Sequence, residues 1–275
     1  MQNSKVMMLT GCASGIGRQL ATELFRSGHR LLVSDLDRRA LESEAKARFD
    51  DPERVLIHEL DVRDRDGWEQ AISAVVARWG RLDVAMNVAG YLAAGWAHEA
   101  SSEVIERTLD VNVKGVIYGT TAAARQMIKQ NGGHIINIAS LAAVAAVPGI
   151  AVYAASKHAV RGFSLAVAQE LRPHGVAVTT VCPALVQTPM LDTQVVRPEA
   201  ALTFATARPL SVEEVARAVL ERGLEERPLE LFVTVPGTGQ VLLSKLGNAF
   251  PALASRLSER LMKRGRENQA RLSQK

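Results

Sequence analysis

Residues 5–17 read Lys5-Val6-Met7-Met8-Leu9-Thr10-Gly11-Cys12-Ala13-Ser14-Gly15-Ile16-Gly17. The largely apolar run at 5–9 predicts a strand, and the periodic stretch at 15–28 predicts a helix after it. Gly11, Gly15 and Gly17 permit a tight turn, close approach of backbone to a pyrophosphate, and close packing of helix on strand. The helix start, around Ser14, Gly15, Ile16 and Gly17, adds unpaired N–H groups and the positive end of the helix dipole. Three glycines alone make only a turn. Their place between a first strand and a first helix makes the segment a candidate cradle for a dinucleotide. Cys12 reads as a small loop residue rather than a reactive thiol.

The rest of the chain repeats this order. Runs at 30–34, 55–60, 83–88, 134–138, 176–181 and 229–233 read as strands, and 38–48, 64–79, 101–130, 151–172 and 211–224 read as helices. Near-continuously apolar strands alternating with helices require a parallel sheet buried on both faces, with right-handed crossovers. The expected fold is α/β: a Rossmann-type doubly wound parallel sheet of about seven strands flanked by helices, with a C-terminal helical tail. No repeat or linker divides residues 1–240, which read as one domain, and 241–275 form a basic amphipathic extension. The stretch 189–209 has weak periodicity and follows a strand end, where loops and lids gather.

The 275 residues are 47% hydrophobic and 23% charged, which argues against a disordered or fibrous chain. Cys12 and Cys182 are too few for a disulfide framework and point to a reducing, cytoplasmic setting. The longest apolar run, 141–155, contains Pro148 and Gly149 and falls short of a membrane span, and no signal leader is expected before Lys5. The net charge of +4 is unevenly spread, with +6 on residues 241–275 and −2 on residues 1–240. A nearly neutral body argues against nucleic acid as a partner. The six histidines show no metal-ligand spacing, so no metal is expected.

Strand two ends at Ser34-Asp35. A carboxylate about twenty residues beyond the glycines accepts hydrogen bonds from the adenosine ribose hydroxyls, and it also repels a 2′-phosphate. No basic residue at 12–14 offsets that repulsion, so NAD is expected over NADP, although Arg38 and Arg39 follow closely. Tyr153 and Lys157 lie one helical turn apart on one face. A free phenol titrates at about 10, and a neighbouring lysine cation favours the phenolate, which suits the pair to proton transfer. Ser140 follows strand 134–138, at the strand end where open α/β sheets bind ligands. Its hydroxyl can hold a substrate oxygen while Tyr153 moves the proton.

Together these residues resemble the short-chain dehydrogenase/reductase family, in its single-domain branch, over about residues 5–235. The loop 10–17 resembles the family's T-G-x-x-x-G-I-G, and Tyr153 to Lys157 its Y-x-x-x-K. Asp61-Val62 resembles the segment whose Asp contacts adenine, and Asn87-Val88-Ala89-Gly90 resembles N-N-A-G with Val88 in place of the second Asn. The resemblance adds Asp61, Val62, Asn87, Ala89 and Gly90 to the cofactor residues. It makes Asn112 the fourth member of a catalytic tetrad with Ser140, Tyr153 and Lys157. In that tetrad Asn112 orders a water linking Lys157 to solvent, and Lys157 also binds the nicotinamide ribose. The segment 182–188 resembles P-G-x-x-x-T, which assigns Pro183, the Val186 backbone and the Thr188 hydroxyl to the carboxamide. Ala184 replaces the glycine and narrows the pocket floor.

The resemblance implies an NAD(H)-dependent oxidoreductase that interconverts a secondary alcohol and a ketone, with Tyr153 as general acid/base. Two alternatives differ from it: an NADPH-dependent reductase of 3-oxoacyl or other keto-lipids, and a cofactor-binding protein without turnover. The family commonly forms dimers or tetramers through its long helices, so a homodimer or homotetramer is expected. Leu243, Leu246, Phe250, Leu253, Leu257 and Leu261 repeat at helical spacing among basic residues. That stripe is expected either to touch an anionic membrane peripherally or to pack over the cleft or a second subunit. With the apolar residues of 142–150 it points to an apolar substrate: a steroid, retinoid, fatty or aromatic alcohol.

Overall fold

In the computed structural model, residues 4–205 and 208–273 are described, apart from the side chains of 253–254 and 256–259. Seven parallel strands form one sheet: β1 (Val6–Thr10), β2 (Arg30–Asp35), β3 (Val55–Glu59), β4 (Val84–Asn87), β5 (Gly133–Ile138), β6 (Val176–Pro183) and β7 (Glu230–Val233). Their order is β3-β2-β1-β4-β5-β6-β7. All five residues of β1 are buried, as befits a strand covered on both faces. It pairs with β2 on one side (Met7 opposite Leu31) and β4 on the other (Met7 opposite Val84). The chain therefore winds outward in both directions from β1, opening a crevice at the C-terminal ends of β1 and β4.

One face of the sheet is covered by α1 (Gly15–Arg26) and α8 (Val212–Ala218), through Leu20, Leu24, Val215 and neighbours. Helix α2 (Arg38–Arg48) flanks β2 and β3. The other face carries α3 (Arg65–Trp79), α5 (Gly115–Lys129) and α6 (Ala151–Leu171), which bury Trp68, Ile72, Met127 and Leu171. Between them lies α4 (Ser102–Leu109).

The expected helix 101–130 is not one uniform helix. A π turn over Asp110–Lys114 joins α4 to α5. A second π turn, Val219–Leu224, follows α8 within the expected helix 211–224. The weakly periodic stretch after β6 is more ordered than its pattern implies, holding α7 (Pro189–Val195) and a 3-10 segment, Pro198–Phe204. The tail forms α9 (Gln240–Ala249) and α10 (Pro251–Ser273). They break at Pro251, whose missing N–H and fixed φ suit the first position of a new helix. The C-terminal half of α10 packs on 198–204, where Gly265 lies against the Ala201 carbonyl. Both cysteines are free and buried.

Candidate active site

The strand ends of β1, β2, β4, β5 and β6, roofed by α7, the 198–204 segment and the tail, line one cleft of about 1270 Å³. At its floor Gly11 (φ +70) and Gly15 (φ +54) adopt the left-handed conformation that glycine tolerates. A Cβ on Gly17 would lie 2.1 Å from the Gly11 carbonyl oxygen, so the helix could not approach the loop with any larger residue there. Ser14 begins α1 without using its side chain as a cap, and the first turn carries no acid. The N–H groups there are open to an anion.

Two side chains brace this loop. The Thr10 hydroxyl accepts hydrogen bonds from the Val88 and Ala89 N–H groups at 3.0 and 3.1 Å, tying β1 to the loop after β4. The Asp35 carboxylate accepts from the Ala13 N–H at 2.9 Å and the Asp37 N–H at 3.2 Å. Asp37, not Asp35, caps α2, which leaves Asp35 on the cleft wall at the end of β2. Asp61 and Val62 continue this wall, and Arg63 grips the Asp61 carboxylate and holds it below its ordinary pKa.

The Asn87 side chain points away from the cleft. The residue is absent from the cleft wall, and its side chain is buried in the sheet, where Nδ2 donates to Asn137 Oδ1 at 2.7 Å and Thr120 Oγ1 at 3.2 Å. A polar cluster of Asn87, Thr120, Asn137 and Ser164 fixes α5 and α6 to β4 and β5. Ala89 and Gly90, by contrast, line the cleft, as do Pro183, Val186 and Thr188. The Thr188 methyl would be 3.2 Å from a Cβ on Gly15, so the start of α7 closes over the glycine loop.

Ser140, Tyr153 and Lys157 converge on the opposite part of the cleft. Ser140 opens a 3-10 turn, Leu141–Val144, and its Oγ accepts from the Ala142 N–H. The Tyr153 phenol is buried among Leu92, Ala142, Ile150, Leu191 and Phe204. Burial pushes its pKa up to about 12, against the opposing pull of the Ser140 hydroxyl. Lys157 donates to the Ile138 carbonyl at 2.9 Å, and its Nζ sits 5.6 Å from the Tyr153 ring centre. Burial brings its pKa down to about 8. The expected lowering of the phenol does not occur in the protein alone, because desolvation of the buried phenol dominates.

Asn112 is buried behind Gly90, in the π turn. Its Nδ2 donates to the Tyr91 carbonyl and to Ser156 Oγ, and its Oδ1 accepts from the Tyr91 N–H. A Cβ on Gly90 would be 3.5 Å from Asn112 Oδ1 and 3.7 Å from Lys157 Nζ. Both amide protons are thus committed to the scaffold, which leaves only acceptor capacity for a relay water: a lone pair on Oδ1 or the backbone carbonyl.

Sequence reasoning missed Thr10, Tyr91 and Ser156. Ser156 reads as a spacer within Tyr153–Lys157, yet it bridges the Tyr153 carbonyl and Asn112. Gln194 and Gln240 also went unmarked. Both are buried residues of the cleft wall, with amide atoms that lack a protein partner among the described residues.

The short chain dehydrogenase family profile matches residues 5–198 of this chain. The chain belongs to the short-chain dehydrogenase family. It is 34% identical to the cyclopentanol dehydrogenase of a Comamonas species over 226 residues, 79% of this chain and 89% of that one. It is also 34% identical to the 3-oxoacyl-(acyl-carrier-protein) reductase FabG of Thermotoga maritima over 221 residues, covering 78% and 89%. Among solved structures it resembles a short-chain dehydrogenase/reductase of Burkholderia phymatum in complex with NAD, with a TM-score of 0.80 and 27% identity, covering 90% of this chain and 95% of that one. As a short-chain dehydrogenase, the chain is an NAD(P)-linked oxidoreductase that interconverts a secondary alcohol and a ketone.

Proposed function

We propose that this dehydrogenase uses NAD(H) in preference to NADP(H) and acts on an apolar secondary alcohol or its ketone. The observation that carries the cofactor preference is the Asp35 carboxylate, held at the cleft wall by two backbone N–H groups. Its fixed negative charge favours ribose hydroxyls and disfavours a phosphate in the same place. The glycine loop and the open start of α1 fit a diphosphate, and Gly90, Val186 and Thr188 bound the region beyond it. When bound, the nicotinamide supplies the hydride acceptor or donor. The apolar preference rests on Leu92, Val147, Ile150, Leu185 and Leu191, which share the cleft with Ser140 and Tyr153.

In alcohol oxidation the Ser140 hydroxyl orients the substrate oxygen and Tyr153 takes its proton. In ketone reduction Tyr153 gives that proton back. Lys157 sits within reach to stabilise the phenolate and pass protons on, and Asn112 holds the π turn against α6 so that the relay keeps its geometry. Nucleotide absorbance during turnover tests the reading. NAD and NADP are offered separately with a panel of apolar and polar secondary alcohols. Faster turnover with NAD, and with apolar alcohols, is expected. Asp35→Ser is expected to shift the NAD/NADP ratio toward NADP about tenfold, for the loss of one charged contact. Faster turnover of polyols, or an unchanged cofactor ratio in the variant, overturns the corresponding half.

A further inference from the structure

The tail bears the largest exposed apolar feature of the described chain. Leu242, Leu243 and Leu246 on α9, Phe250 just past its end, and Leu261 on α10 are all exposed, Leu243 and Phe250 by 66% and 61%. They account for five of the nine large hydrophobic side chains that the described residues expose, gathered within twenty positions. A cluster of that kind marks an interaction surface rather than scattered surface leucines. Positions 242, 243 and 246 follow helical spacing, so they share one side of α9, and Phe250 continues that spacing past its end.

The charge around this face is mostly positive, with Glu267 the one acid whose side chain is described in the tail. Helix α9 has no acidic residue and carries Lys245. On α10, Arg260, Arg264 and Arg271 recur four and seven residues apart, which sets them on one helix face, and all three are exposed. Lys263 and Arg266 are exposed nearby. The cleft opens at the same place, since Leu243, Gly247, Leu261 and Arg264 are part of its wall.

We infer that this face docks the enzyme on an anionic lipid bilayer, with the α9 apolar side chains inserted at the headgroup boundary and the cleft mouth turned toward the lipid. An apolar helix side flanked by cations is the pattern of an interfacial helix, in which buried apolar area and attraction to anionic lipid act together. A second copy of this chain is the competing occupant. A two-fold contact sets the same patch against itself, which would bring the +6 tails together. A bilayer of anionic lipid offers the complementary charge. Among the described residues no helix is long and apolar enough to cross a membrane, so the contact is one of lying on the surface. Entry of an apolar alcohol from the bilayer into the cleft rests on the proposed substrate class. The docking itself does not.

Vesicle co-sedimentation tests docking without cofactor or turnover. The full-length protein is mixed with vesicles of phosphatidylcholine alone, or of equal parts phosphatidylcholine and phosphatidylglycerol. Binding at least about tenfold stronger to the anionic vesicles is expected. It should weaken as salt is raised until the Debye length falls to about 3 Å. The double variant Leu242→Glu, Phe250→Glu should lose about tenfold or more in binding while it oxidises a water-soluble alcohol at the wild-type rate, because neither side chain lines the cleft. Equal binding to both vesicles, or none, overturns the proposal. So does light scattering that shows an oligomer dissociated by the double variant while vesicles fail to capture the wild type. Should the variant misfold, the lipid and salt series on the wild type still decides.

Discussion

The wall formed by the strand ends and the cap formed by α7, the 198–204 segment and the tail helices enclose one cleft by different means. On the wall, side chains are pinned by backbone: Thr10 by the Val88 and Ala89 N–H groups, Asp35 by Ala13 and Asp37, Asn112 by Tyr91, and Lys157 by Ile138. In the cap, helices lean on one another through small residues and a few amide-to-carbonyl bonds, around an apolar cluster of Leu191, Ala200 and Phe204. Proton and hydride transfer need atoms fixed to fractions of an ångström, whereas selecting an apolar body needs a shape. The wall suits the first task and the cap the second. Changes on the wall should therefore alter rate constants, and changes in the cap should alter substrate preference.

The largest effect should come from Tyr153→Phe, which removes the group that moves the proton. A fall in kcat of about 10² to 10⁴ is expected, with nucleotide affinity retained in a fluorescence titration. A mutant that loses nucleotide affinity in step with kcat would break the division of labour. The pH profile sharpens it. With the phenol pushed up to about 12, the phenolate is a small fraction at neutral pH. Alcohol oxidation, which needs the phenolate, should therefore rise with pH by up to about tenfold per unit in kcat/KM. That rise should bend near pH 8, where Lys157 loses its proton and with it the charge that favours the phenolate. Ketone reduction needs the protonated phenol and should not rise over the same range.

Asn112→Ala should cost less in rate but more in stability. It leaves the Tyr91 N–H and carbonyl and Ser156 Oγ without their partner, at about 1–3 kcal/mol for buried groups left unpaired. A lower melting temperature together with a lower kcat is expected. An unchanged melting temperature would mean that Asn112 acts on the relay alone.

The wall was largely legible in the sequence because its devices are local. A glycine loop, an acid at a strand end and a Tyr–Lys pair one turn apart each keep their chemistry at short spacing. The π turn at Asp110–Lys114 was not legible, since one extra residue in a helical turn barely disturbs a periodic pattern. The placement of Asn87 was not legible either: its motif sets it beside the cleft, but alternation along β4 turns its side chain toward Asn137 and Thr120. The cap was read least well. The apolar stripe from Leu243 to Leu261 left a membrane face and a packing face both open, and the side chains of Leu253 and Leu257 lie outside the described residues. In α10 the buried positions are Gly265 and Gln269, a small and a polar residue that no hydrophobic pattern would mark.

Those two residues give the cap's own tests. Gly265→Ala would place a Cβ 1.9 Å from the Ala201 carbonyl oxygen, so either α10 or the 198–204 segment must move. Overpacking of this sort costs about 1–3 kcal/mol. The KM for a bulky apolar alcohol should change while the KM for nucleotide holds. A shift in nucleotide KM as large as that in substrate KM would show that cap and wall are not separable.

Gln269→Ala should produce the smallest and most local change. Helix α7 spans only seven residues, and at its end the Gln194 carbonyl accepts a turn bond from the Arg197 N–H at 3.1 Å. Gln269 reaches across from α10 and donates to the Gln194 and Arg197 carbonyls at 2.8 and 2.7 Å, capping a neighbouring helix from outside. Loss of the amide removes about 1 kcal/mol per net hydrogen bond, and the effect falls on α7 and the turn after it rather than on the sheet. Hydrogen exchange should quicken for amides in 189–204 and stay at wild-type rates in β1, β4 and β5. If the sheet loosened as well, the cap would be part of the same cooperative unit as the wall, and the contrast between a rigid chemical wall and an independently held cover would fail.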